Sequence, residues 1–219
     1  MKNVTRMLVA LTMLVAGTAA NAAVIFDNGI TATNGFISDL DFTGTPKLSA
    51  DDFRLLPGAN VITDVHWTGL YAFSNTPLAD NFTIQLFNDA GGVPATNPFL
   101  SLPVSPSRVD TGKNTSFGSD IFAYDVIISP VTLAANTTFW LSIFNNTSND
   151  TNDNWFWGIV DAAGNGAIRD GLGLPWSTFI NGYEFQLTGV SVPEPSALAL
   201  LALGFIALAL LNRRRTSST

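Results

Sequence analysis

Carboxylates are the only chemistry-bearing side chains that this chain offers in number. Against 17 Asp and Glu it has one histidine and no cysteine. Thiol nucleophiles, thiolate metal sites and disulfides are therefore excluded, and so is a zinc site built from several histidines. A Ser–His–Asp mechanism has to use His66, in VITDVHWT (61–68). Asp64 lies too near it along the same strand face to orient the ring as a third member. Alternation puts His66 on the polar face of its strand, as an ordinary surface residue. Acids stand close together at Asp51–Asp52 and at Asp39 and Asp41, with Asp64 and Asp161 apart. Paired carboxylates can hydrolyse glycosides, one as acid and the other as base or nucleophile. Any acidic exported protein also carries such pairs.

Two further groups could bind. The stretch NNTSNDTNDN (145–154) supplies Asn149, Asp150, Asn152 and Asp153, oxygen donors of the kind that calcium takes. It lacks the EF-hand spacing and glycine, and Asn and Asp also fill plain turns. Among the aromatics, Trp155 and Trp157 share one strand face, and Trp176 follows a proline in the Gly-rich DGLGLPWS (170–177). Exposed rings of this kind stack on sugars, whereas buried ones pack a core. The pattern expects Trp67 and Trp140 in the core and Trp176 as the exposed ring.

The elements that must position these residues read as strands. NFTIQLFN (81–88) alternates Phe82, Ile84 and Leu86 against Thr83 and Gln85. Similar runs occur at 61–68, with Val61, Val65 and Trp67 inward, and at 121–129, 138–145, 155–160 and 184–190; 24–27 and 52–56 are weaker. Polar and Gly/Pro clusters such as DAGGVPATNP (89–98) separate them. With no helical stripe between residues 23 and 192, the expected fold is all-β: an antiparallel β-sandwich of eight to ten strands, jelly-roll-like.

The two ends differ in kind from the body. Lys2 and Arg6, an apolar run from Met7 to Val15, and the small residues of Ala20-Asn21-Ala22 form a signal peptide, 1–22, with signal peptidase expected to cut before Ala23. The body, 23–191, follows. Residues 23–192 carry 16 acids against 5 bases, a balance of 5 − 16 = −11 that phosphate backbones repel, so nucleic acid is not an expected partner. Ala197 to Leu211 is apolar without interruption. As a helix it spans about 22 Å at roughly 1.5 Å per residue, short of a bilayer core of about 30 Å. Arg213, Arg214 and Arg215 orient it with the basic tip inside and the body outside.

Just before that helix stand Pro193-Glu194-Pro195. The prolines hold the backbone extended outside the membrane, and the glutamate keeps it in the aqueous layer. This order of Pro-Glu-Pro, short apolar helix and basic tip, over 192–215, resembles the PEP-CTERM sorting signal. The resemblance implies export in a Gram-negative bacterium and transient anchoring in the inner membrane with the body in the periplasm. It further implies removal of the tail by an exosortase, and association with exopolysaccharide and biofilm at the cell surface or in the matrix. Residues 50–160 also resemble the β-rich body of many such proteins, which suggests no active site. The expectation is a non-enzymatic surface or matrix protein without a required cofactor. A carbohydrate-binding, lectin-like module and a secreted carboxylate-dependent glycoside hydrolase stand as alternatives.

Overall fold

The structure, a computed structural model, describes residues 22–42, 44–72, 77, 80–149 and 153–190, with backbone only for 161–163. Among the described residues there is no helix and there are thirteen strands. These are β1 (Ala22–Asp27), β2 (Gly35–Ile37), β3 (Asp39–Phe42), β4 (Thr45–Arg54), β5 (Val61–Ala72), β6 (Phe82–Asn88) and β7 (Leu100–Val104). They continue with β8 (Ser107–Asn114), β9 (Asp120–Thr132), β10 (Thr138–Phe144), β11 (Asn154–Arg169), β12 (Ser177–Tyr183) and β13 (Phe185–Val190).

All strand pairings are antiparallel, and the main path runs β1-β13-β5-β11-β4-β10-β6-β7. The hairpin of β8 and β9 adds to the far side of β5. β11 is the hinge of this arrangement. Its first half pairs with β5, its second half with β4, and the ladder it makes with β12 shifts register twice in between. Such bulges bend a strand and let one sheet turn back on itself. The curl encloses Trp67, Tyr71, Phe82, Tyr124, Trp155, Trp157 and Phe185, all buried and each in an edge-on or stacked ring contact. A second, smaller cluster gathers Leu48, Phe87, Trp140, Phe144 and Trp176.

Register also corrects two expectations. Ile62, not Val61, points into the core, because the β5–β9 ladder shifts between Ile62 and Asp64 and changes the phase of the alternation. The strand at 155–160 runs on through the glycine-rich segment to Arg169. Close approach explains those glycines. A Cβ at Gly164 would lie 2.3 Å from the Gly182 backbone, and one at Gly166 2.2 Å from the Asn181 carbonyl oxygen.

With no helix among the described residues and no cysteine in the chain, the points where strands leave their ladders need other partners for their N–H groups. Three buried acids supply them. Asp39 accepts from the N–H groups of Asp41, Thr147 and Trp155 (3.0, 3.3 and 2.8 Å), so it ties β3 to the start of β11. Asp51, on β4, accepts from the Tyr183 N–H at 2.6 Å, the Asn28 amide at 2.6 Å and the Asp52 N–H at 2.9 Å. Glu184, between β12 and β13, accepts from Thr31 N–H at 2.8 Å, Ala32 N–H at 2.6 Å and Thr68 Oγ1 at 2.6 Å. Burial raises all three carboxyls above their ordinary range despite those donors, and pushes Asp51 up to about 7.

The sign follows from linkage. An acid whose folded value exceeds its unfolded 3.8 binds more protons folded than unfolded between 3.8 and about 7. Its contribution to stability is fullest below the unfolded value and is lost as pH rises through the folded one. The chain is therefore expected to melt at a higher temperature at pH 5 than at pH 8. Asp51→Asn lowers both melting points and flattens the difference between them; a difference unchanged by Asp51→Asn would contradict the assignment.

Candidate functional site

A face of the sheet turned away from the aromatic core holds a cavity of about 520 Å³. Its floor is Leu70 and Ala72 of β5 and Phe156 of β11, with Leu70 and Phe156 directly paired across the ladder. Strand alternation fixes this face: Tyr71, Trp155 and Trp157 go inward, so Leu70 and Phe156 go outward. Asn34 and Gly35 form one wall. Here a Cβ would meet Leu70, Phe156 and the Trp157 carbonyl at 2.9 to 3.0 Å, so only glycine lets this wall lie so close to the floor. Glu184 holds the loop that leads into it, through Thr31 and Ala32.

The other wall is the tip of the β8–β9 hairpin, TSFGS (115–119). Thr115 is buried at its base, and its Oγ1 accepts from the N–H groups of Phe117 and Ser119 at 3.3 and 3.1 Å. Gly118 takes a positive φ of 87° and donates its N–H to the Thr115 carbonyl at 3.0 Å. This fixed turn holds Phe117, a residue 84% exposed, in the cavity lining. No charged side chain is among the described lining residues.

The residues singled out from sequence distribute differently. Trp155 and Trp157 are wholly buried, and Trp157 donates its indole N–H to the Glu184 carbonyl at 2.8 Å, so neither presents a face to a sugar. Trp176 is buried too, which corrects the expectation of an exposed ring. It packs edge-on to Phe87, and the Arg169 guanidinium lies 4.4 Å from its centroid. Of the calcium candidates, Asn149 is exposed and Asp153 is buried, while Asp150 and Asn152 lie outside the described residues. Among the described residues no group of three or more His, Asp or Glu could hold a metal.

His66 does gain a carboxylate partner, but a different one. Asp125, its cross-strand neighbour on β9, meets Nδ1 at 2.5 Å, and Thr188 Oγ1 lies 3.2 Å from Nε2. The order of atoms is that of a hydrolytic triad. However, β13 is laddered to β1 and β5 on both sides, which consumes the N–H groups that an oxyanion needs. Asp51 and Asp52 line a second cleft of about 390 Å³ with Asn28 and Asn165. Asp51 there is already committed to backbone donors.

Directly after β13, residues 191–215 match the family model described as the PEP-CTERM protein-sorting motif. The chain carries a PEP-CTERM sorting signal. This signal marks it for export, for membrane anchoring at the C-terminus and for processing by an exosortase. Pro193, Glu194, Pro195 and Arg213 to Arg215 fall within the PEP-CTERM match but outside the described residues. Ala20, at the expected signal cleavage site, also lies outside the described residues. No curated protein matches the chain. Among solved structures it is similar to the cysteine protease and lectin-like domains of Cwp84, a surface layer associated protein of Clostridium difficile. That likeness has 9% identity and a TM-score of 0.45, over 66% of this chain and 32% of that one. The chain thus spans about a third of that structure, and a likeness at this level says nothing of what this chain binds.

Glu184 is the residue on which the cavity's loop wall depends. Glu184→Gln keeps the shape but turns a donor group toward donors. It is expected to cost about 1–3 kcal/mol in urea unfolding, the usual penalty for a buried polar group left without its partner. A midpoint equal to that of the unaltered chain would contradict this role.

Proposed function

We propose that this chain is an exported, non-enzymatic module displayed at the cell surface or in the extracellular matrix of a Gram-negative bacterium, where it associates with exopolysaccharide. Signal peptidase removes residues 1–22, and exosortase removes the tail after a transient stay in the inner membrane. The carrying observation is the sorting motif matched at residues 191–215, together with the direct pairing of Ala22 with Val190 in the β1–β13 ladder. Both expected cuts, before Ala23 and near Pro193 to Ser196, lie close to that pair along the chain. Processing on both sides leaves β2 to β13 whole.

The non-enzymatic reading draws support from how the acids are used. Asp39 and Asp51 are buried and saturated with backbone N–H donors, so they are poorly placed to shuttle protons for glycoside hydrolysis. The wrapping of one curled sheet around an aromatic core favours a jelly-roll-like sandwich. The lectin-like alternative keeps a specific observation in its favour, the uncharged cavity with its exposed ring, although the tryptophans first considered for it are buried.

Intact-mass analysis of the protein from its own cells tests the processing. The mature chain is expected to begin at Ala23 and to end between Pro193 and Ser196. In cells lacking exosortase, the tail stays attached and the chain remains in the membrane fraction. Mature surface protein that retains Arg213 to Arg215 would contradict the reading.

A further inference from the structure

The cavity under the β8–β9 tip has a chemistry that narrows its ligand. Its floor is apolar and partly aromatic, through Leu70, Ala72 and Phe156. Its rim carries hydrogen-bonding groups whose capacity is only half used. Thr115 Oγ1 accepts two backbone N–H groups and keeps its own proton to donate. Asn34 Oδ1 accepts the Gly35 N–H at 2.8 Å, which leaves its amide NH₂ as a donor. Ser119 engages through its backbone, and its hydroxyl adds a third.

Charge is the second clue. The body carries 16 acids against 5 bases, yet the described lining of this cavity has none of either. An acidic ligand meets a repelling surround and no cation to pair with. A cation finds no carboxylate there. What fits is a neutral molecule with one apolar face and a ring of hydroxyls.

Phe117 is the third. An apolar ring left in water costs free energy that burial would recover. A turn built from two Thr115 hydrogen bonds and a left-handed glycine holds this ring out in the open. That arrangement is preorganised for stacking, since the ring loses little further freedom when a ligand covers it. The C–H face of a pyranose is an apolar surface of suitable size, and its equatorial hydroxyls reach sideways to a polar rim.

We infer that this cavity binds a neutral hexose unit of a polysaccharide, stacked on Phe117 and hydrogen-bonded by Asn34, Thr115 and Ser119. The volume lies within the roughly 300–1,000 Å³ usual for small-molecule sites. This deepens the matrix-association reading, and rests on it only for where the polymer comes from; the site itself lies wholly between the two expected cuts.

The test presents the chain, as its own cells export it, to immobilised hexasaccharides of glucose, mannose and galactose, with oligogalacturonate as the acidic control. At least one neutral oligosaccharide is expected to bind, and oligogalacturonate is not. Phe117→Ala weakens that binding about tenfold or more, whereas Phe117→Trp preserves it. Because the ring is exposed, neither change alters the melting temperature appreciably. Absence of binding to all three neutral series, equal binding by Phe117→Ala, or preference for the acidic control would overturn the inference. The terminus of the same sample, read by mass, reports processing separately, so failure of one reading is distinguishable from failure of the other.

Discussion

Three carboxylates taken out of water hold the backbone N–H groups that the β-ladders leave over. Asp39, Asp51 and Glu184 are all but inaccessible to solvent, and each reaches across more than a hundred residues of chain: to Trp155, to Tyr183 and to Ala32. A helix-free sheet of this length has many places where strands diverge, and a buried unpaired donor at any of them costs about as much as the hydrogen bond it lacks. Cysteine would be the other way for an exported chain to clamp such points. With none present, ionisable acids carry the task, at the expense of a stability that depends on pH.

The same clamps connect fold to recognition. Glu184 fixes the loop that walls the cavity, and its backbone carbonyl takes the Trp157 indole N–H, so the wall and the aromatic core share one anchor. On the outward face of β5 and β11, Leu70 and Phe156 form the floor, because Tyr71, Trp155 and Trp157 turn inward. Recognition therefore falls to a small apolar floor and to one ring on a hairpin tip. The sorting signal marks the chain for export and exosortase processing.

Much of this was legible from residue order alone, and the rest failed for identifiable reasons. The strand at 82–88 and the inward rings of Trp67 and Trp140 follow from simple alternation. The tail was legible because its chemistry is local, with proline, glutamate, apolar run and arginines in a fixed order. The second half of β11 was not, since Ala, Gly and Asn in DAAGNGAIR give no periodic signal and the strand is dictated by close backbone approach. In the sequence Asp39 and Asp51 stand only as members of close carboxylate pairs; their burial is not legible there, because it depends on donors far away in the chain. Trp176 suggested exposure beside Pro175, but Phe87 and Arg169 arrive from other strands to cover it. Phe117, a single aromatic in a short polar turn, carries no pattern and becomes meaningful only once the hairpin is placed over Leu70 and Phe156.

Amide hydrogen exchange tests the carboxylate clamps most directly. Thr31 and Ala32 lie in a loop, outside every strand, where amides ordinarily exchange at close to the open-chain rate. If Glu184 holds them as described, both are protected to within about tenfold of ladder amides such as those of Val65 and Trp67, and that protection persists at pH 6. Exchange of Thr31 and Ala32 at loop rates, in a chain whose ladder amides remain protected, would contradict the account.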